Sequence, residues 1–441
     1  MNKNNYIVAI EIGSSKIKGA VGQVDPSGVL TVKGIEEEHQ HPNYVRYGCV
    51  QNVAEVAAQL KRVIAKLNNR IAPAKISAAY VGIGGRSLRS TPAHLNIALA
   101  DDTEITREIV ESLLSRARVA GAETALLDVE PMQFQVNGKT QGMDPVGMLA
   151  RELSADVNLV SCRKQIQKNL DIAVKDKTGI DINGYVVRPM ALADLVLNSE
   201  QKMVGTMLVD AGAETTTVAI YKEGALIYLA TLPLGSRHIT RDLQAAMSTL
   251  EDKAEETKRV QGNANPDTER RSGITDEVDT SKINEVISTR AAEIIANINA
   301  QIEYAGMTSG DIREIVIVGG GSMLKGFGEL LSQTTGKGVR RGTLSPEVRI
   351  SGTKISTGED LDVISLLYRI SRNDAALRPC TVEPEPAAQQ PVQQTAPEPE
   401  PEEEEEEIDD LPKTSWISRL MNKIKNGPAM DTFDEDEDDK L

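Results

Sequence analysis

The sequence predicts an α/β protein of two related lobes followed by a long tail. Three observations carry that expectation. Strand-like apolar runs alternate with segments of helical period up to residue 335. A turn of carboxylate, glycine and hydroxyls after one strand recurs about 200 residues later after another. Beyond residue 378 the composition changes to Pro, Glu and Gln. With 441 residues, 40% of them hydrophobic, the chain has material for two or three compact units.

The strands read most clearly are 6–10, 76–81, 205–209, 217–221 and 315–318, with 17–21 returning directly behind the first. Helical periodicity marks 53–67, 106–120, 163–177, 283–305 and 327–335, and 260–280 is polar enough to hold a loop. No stretch approaches the roughly 20 apolar residues of a spanning helix. Met1 to Asn5 leads into a strand rather than an apolar leader, so the protein is expected to stay in the compartment where it is made. Cys49, Cys162 and Cys380 are scattered, without disulfide or zinc spacing, which fits a reducing cytoplasm.

The net charge of −16 is a property of the tail. Residues 383–412 hold twelve acidic and no basic side chains, 413–427 four basic and no acidic, and 428–441 seven acidic and one basic, which leaves about −2 for residues 1–382. The folded part therefore lacks the basic surplus of a nucleic-acid binder. Residues 379–412, with Glu402 to Glu407, cannot bury enough apolar surface to offset their ordering entropy and read as a disordered acidic linker.

Three turns carry the candidate chemistry. In the first, Glu11-Ile12-Gly13-Ser14-Ser15-Lys16, the glycine lets backbone approach a ligand closely, while amides, hydroxyls and Lys16 offer donors to phosphate oxygens. The second, Asp210-Ala211-Gly212-Ala213-Glu214-Thr215-Thr216, repeats the design. The third, Gly319-Gly320-Gly321-Ser322, lies between a strand and the helical segment 327–335, where amides beside a helix N-terminus suit an anionic group. Each alone is more often an ordinary turn than a phosphate site. Their order and spacing describe two halves closing on one nucleotide.

In that order these segments resemble the actin-like ATPase superfamily and, within it, the FtsA family of bacterial cell-division proteins, over residues 5–378 and a helix near the C-terminus. The resemblance implies an actin-like two-lobed ATPase fold, with a first lobe core at 1–84, 164–188 and 355–378 and an FtsA-type inserted subdomain at 85–163. The second lobe core falls at 189–240 and 301–354, with an outer subdomain at 241–300. Glu11 to Lys16 is similar to the first phosphate loop, Asp210 to Thr216 to the second, and Gly319 to Ser322 to the adenosine motif. Ala254 to Lys258 resembles the helix whose Glu and Lys touch ribose and base, implying Glu255 and Lys258. The implied ligands are ATP and Mg²⁺, the metal held through water by Glu11 and Asp210.

Departures from the family pattern weigh against hydrolysis. Ala213 and Glu214 stand where relatives often have glycines, with Glu214 expected to repel the terminal phosphate, and Arg188 stands where a cell-shape actin relative has a Glu associated with hydrolysis. ATP is thus expected to be bound and slowly or negligibly hydrolysed, with no general base to name. An actin-fold phosphotransferase and an assembly factor of a pilus or secretion machine are the alternatives.

In 413–427 the residues Trp416, Ile417, Leu420, Met421 and Ile424 fall on one helical face, with Arg419, Lys423 and Lys425 on the rest. Trp at the start of such a helix suits a bilayer interface. Docking back on the core is the alternative, and the acidic linker argues against it. The acidic residues 428–441 tune membrane affinity, fold back onto the basic helix face when the protein is free, or are a solvated tail. The resemblance implies a protein at the division site on the cytoplasmic face of the inner membrane. It implies self-association into an actin-like polymer, binding of the FtsZ C-terminal tail, and recruitment of later division proteins.

Overall fold

A computed structural model of the chain describes residues 6–266, 281–352, 355–356, 358–373 and 377–383. Most of the linker, the segment 413–427 with Trp416, Ile417, Arg419, Leu420, Met421, Lys423 and Ile424, and the tail 428–441 lie outside the described residues. Among the described residues no helix is long and apolar enough to cross a membrane.

The first sheet runs in the order Asp181–Val187, Ala78–Ile83, Tyr6–Ile12, Lys16–Val24, Leu30–His39, Val348–Ile350. Tyr6–Ile12, Lys16–Val24 and Leu30–His39 form an antiparallel meander, and the other strands add in parallel. Both faces are covered, as the unbroken burial of Ile7 to Ile12 requires. Helix Val53–Ile71, N-capped by the Asn52 side chain accepting from the Glu55 amide, packs on Lys16–Val24 and Leu30–His39. Helix Leu361–Ser371 packs on Tyr6–Ile12 and on helix Arg188–Val196.

The second sheet contains the same arrangement. Thr206–Ala211, Thr216–Lys222 and Ala225–Leu232 make an antiparallel meander, and Glu314–Val318 and Gly338–Arg341 add to it in parallel. Helices Ser236–Met247 and Ser281–Tyr304 cover it, with Ile239, Leu243, Ile294 and Ile298 buried against Val209 and Ile315. Residues 85–163 contribute four further strands, Arg89–Glu104, Thr124–Val136, Lys139–Gly142 and Leu149–Arg163, joined to this sheet through Ala230 opposite Arg89. They keep a core of their own around Ile105, Leu113, Phe134, Leu153 and Val157.

Several expected boundaries shift. Val348–Ile350 pairs with Leu30–His39, so the chain returns to the first lobe before residue 355, because a three-residue parallel pairing closes that sheet's edge. The first lobe also continues past residue 378. Cys380 is buried, its carbonyl accepts from the Ser77 and Ala78 amides, and Thr381–Val382 pairs with Lys75–Ile76. The helix expected over 106–120 spans only Arg107–Leu114, and residues 115–117 continue as turns. Helix Ser236–Met247 crosses the expected division at residue 241.

Arg369 ties these parts together. From helix Leu361–Ser371 it meets Asp194 of helix Arg188–Val196 at 2.6 Å, and Asp128 and Glu130 of the inserted subdomain at 3.0 and 3.3 Å. Removing the cation from this part-buried cluster leaves three carboxylates without it. Arg369→Met is therefore expected to destabilise the protein by about 1–2 kcal/mol, read as an earlier urea transition. An unchanged midpoint would mean that water already screens the cluster.

A nucleotide-sized cleft between two matched hairpins

The two phosphate-type turns are closed in the same way. Ile12 faces Ile17 across the first hairpin, and the Gly13 amide donates to the Lys16 carbonyl at 2.9 Å. Ala211 faces Thr216 across the second, and the Gly212 amide donates to the Thr215 carbonyl at 2.8 Å. Glu11 and Asp210 thereby occupy equivalent register positions, opposite Lys18 and Thr217. Neither glycine leaves room for a side chain: a Cβ would lie 3.1 Å from Glu11 Oε2 at Gly13 and 2.9 Å from the Thr215 carbonyl at Gly212.

The helix expected over 327–335 forms with those bounds, but the triple glycine does not sit at its N-terminus: Gly320–Met323 is a separate 3₁₀ turn, and Gly326, with φ 75°, directly precedes the helix. The turn instead seats against the second hairpin. Gly319 has φ 83°, and a Cβ there would lie 2.6 Å from the Ala211 carbonyl and from Asp210 Oδ1. Gly320 faces open space, with no atom within 4 Å of its added Cβ.

All three turns face one cleft of 640 Å³, within the roughly 300–1,000 Å³ usual for small-molecule sites. Gly13, Ser14, Ser15 and Lys16 line it from the first lobe. Asp210, Gly212, Thr215, Glu255, Lys258 and Gly319 to Gly321 line it from the second. Two residues expected there do not. Thr216 is buried, its hydroxyl donating to the Leu234 carbonyl at 2.8 Å, and Ser322 is buried, its hydroxyl donating to the Gly319 carbonyl at 2.7 Å. Both brace the turns from behind.

The charges nearest the turns are paired. Lys16 is held by Glu37 at 2.9 Å and Glu359 at 2.6 Å, and Lys18 by Asp362 at 3.0 Å and Asp360 at 3.5 Å. Glu214 does not confront the phosphate position as a bare charge. Its carboxylate accepts from the Tyr47 amide across the cleft at 2.6 Å and from Arg237 and Arg241 at 3.3 and 3.0 Å. Arg237 also donates to the Ser14 carbonyl at 3.1 Å. Lys258 meets Glu255 at 2.6 Å and donates to the Thr240 hydroxyl. Burial lowers the Lys258 ammonium despite Glu255, and Lys258 holds Glu255 down against its own burial.

Arg188 is the residue whose role the sequence concealed. It donates Nη1–H to Glu11 and Nη2–H to Asp210, each at 2.8 Å, and so stands between the two carboxylates assigned to Mg²⁺. Burial pushes Glu11 up to about 7 and raises Asp210 as well, with Arg188 opposing burial on both. The pair does not fit a hydrated Mg²⁺ while the guanidinium is there, because that ion keeps an octahedral shell at roughly 2.0–2.1 Å. Among the described residues no group of three or more His, Cys, Asp or Glu side chains is placed to hold a metal. Lys18 was also missed. Its signal was a charged residue inside the otherwise apolar or small run 17–21.

A family model described as cell division protein FtsA matches residues 207–359, and one for the SHS2 domain inserted in FtsA matches residues 85–161. The cell division protein FtsA of Porphyromonas gingivalis is 29% identical over 398 residues, covering 86% of this chain and 80% of that protein. That of Pseudomonas aeruginosa is 28% identical over 357 residues, covering 78% and 84%. A solved PilM–PilN type IV pilus biogenesis complex superposes with a TM-score of 0.59 at 16% identity, over 82% of this chain and 98% of that one, a likeness of fold alone. The inserted subdomain and the second lobe thus point independently to one family, and this chain, built on an actin-like two-lobed fold, belongs to the FtsA family of cell division proteins.

Proposed function

We propose that this chain binds ATP in the cleft, polymerises on the cytoplasmic face of the bacterial inner membrane and holds the FtsZ C-terminal tail there at the division site, where later division proteins are recruited. The observation that carries the nucleotide reading is the matched pair of hairpins. Residues of both turns, with the hydroxyl-bearing Ser14, Ser15 and Thr215 among them, line one cleft from opposite lobes, with a glycine turn beside them, a set of groups suited to phosphate oxygens. Gly13, Ser14, Ser15, Gly212 and Thr215 would meet the phosphates, and Glu255, Lys258 and Gly319 to Gly321 the nucleoside.

Slow or absent hydrolysis is part of the reading. Glu11, Asp210 and Asp362 are all held by cations, so none is free to take a proton from water. The same pairing gives the phosphotransferase alternative no support. Membrane attachment rests on the sequence pattern of 415–426, and self-association and FtsZ binding rest on family membership. Calorimetric titration of ATP into the purified chain tests the nucleotide half. One-to-one binding is expected, and no heat over the micromolar range, with a fluorescent analogue also failing to bind, would remove it.

A further inference from the structure

We propose that Arg188 is the resident cation of the nucleotide site, filling the place between Glu11 and Asp210 so that the chain holds nucleotide without a metal bound to its own carboxylates. This deepens the nucleotide reading and rests on it. The observations are geometric. One planar guanidinium bridges two carboxylates from opposite lobes with two 2.8 Å contacts, and Glu11 and Asp210 sit at matching positions of the repeated hairpins. Arg188 is also the first residue of helix Arg188–Val196, the end of a helix dipole that disfavours a cation. Its placement there depends on the two carboxylates.

The arginine is held by its two carboxylate contacts: its Nε is buried with no hydrogen-bond partner, so only Nη1 and Nη2 tie the head group down. Swinging it away would leave Glu11 and Asp210 facing each other, both deeply buried and unpaired. Lys18 does not replace it, because its ammonium is taken by Asp362 and Asp360. A guanidinium stays charged throughout the physiological range and pairs with both carboxylates at once, one N–H group to each. The triphosphate then meets amides and hydroxyls rather than a carboxylate-bound ion. Mg²⁺ that arrives does so on the nucleotide, without a protein carboxylate in its shell or in contact with its waters.

Two measurements decide this. The ATP dissociation constant of the unmodified chain, taken with excess Mg²⁺ and with excess EDTA, is expected to agree within about threefold. In Arg188→Gln, which frees both carboxylates, it is expected to become at least about tenfold tighter with Mg²⁺ than with EDTA. Independently, Mn²⁺ added to the nucleotide-free chain is expected to keep its free-ion paramagnetic resonance signal, whereas Arg188→Gln takes up one equivalent. The second measurement does not need ATP to bind. If ATP fails to bind in either buffer, the nucleotide reading fails while Mn²⁺ still reports on Arg188. If Arg188→Gln does not fold, both arms on the unmodified chain stand. A loss of about tenfold or more in EDTA, or stoichiometric Mn²⁺ uptake by the unmodified nucleotide-free chain, overturns the assignment.

Discussion

Gly320→Leu is expected to weaken ATP binding by about a hundredfold or more while leaving the melting temperature unchanged. Two neighbouring glycines should behave oppositely. A side chain at Gly320 meets no protein atom within 4 Å and needs no left-handed backbone, so the fold tolerates it; the space it fills belongs to the cleft. At Gly319 the outcome reverses. The backbone has φ 83° and a Cβ would lie 2.6 Å from Asp210 Oδ1, so Gly319→Ala should lower stability and disturb the second hairpin. Calorimetry and thermal melts on the two variants separate ligand exclusion from misfolding. Unchanged ATP affinity in folded Gly320→Leu would place the nucleotide elsewhere.

Deleting residues 414–426, or making Trp416→Glu, is expected to release the chain from anionic vesicles to background while leaving ATP affinity intact. Five apolar side chains entering the interface contribute several kcal/mol at roughly 25 cal/mol per Å², against the cost of ordering a helix of about three turns. Each Lys or Arg near an anionic leaflet adds about 1 kcal/mol, opposed by the acidic runs on either side and weakened by salt. One copy should therefore bind weakly, and firm attachment should need many copies in one polymer. Cleft affinity should not change, because the last described pairing with the first lobe, Thr381–Val382 on Lys75–Ile76, lies some thirty residues before the segment. Vesicle pelleting reads the effect, and pelleting of both variants at the unmodified level would assign the anchor to another part of the chain.

What the sequence disclosed was local. A strand ending in a carboxylate, then glycine and hydroxyls, then a returning strand, is a pattern within about a dozen residues, and both hairpins have that form. Long strands with few or no buried residues, such as Arg89–Glu104 and Thr124–Val136, are too mixed in polar and apolar residues to be marked as the core strands were. Val348–Ile350 needed a partner more than 300 residues away, which three residues cannot announce. Cys380 was hidden because proline and glutamate dominate its neighbourhood, although Cys-Thr-Val is a small β-prone run.

The site was legible as a list of residues and not as a set of charges. Composition does not say which ions meet across a cleft. Glu214 therefore read as a repelling charge until Arg237 and Arg241 were seen to hold it. Arg188 read as a missing catalytic carboxylate until its contacts with Glu11 and Asp210 were seen.

The central claim, that this chain ties FtsZ to a membrane, is tested most directly by sedimenting FtsZ with anionic vesicles in the presence of ATP. The account predicts that FtsZ enters the pellet only when this chain is present, and that neither FtsZ lacking its C-terminal tail nor the chain lacking residues 414–426 supports it. FtsZ remaining in the supernatant while the unmodified chain pellets would contradict the claim.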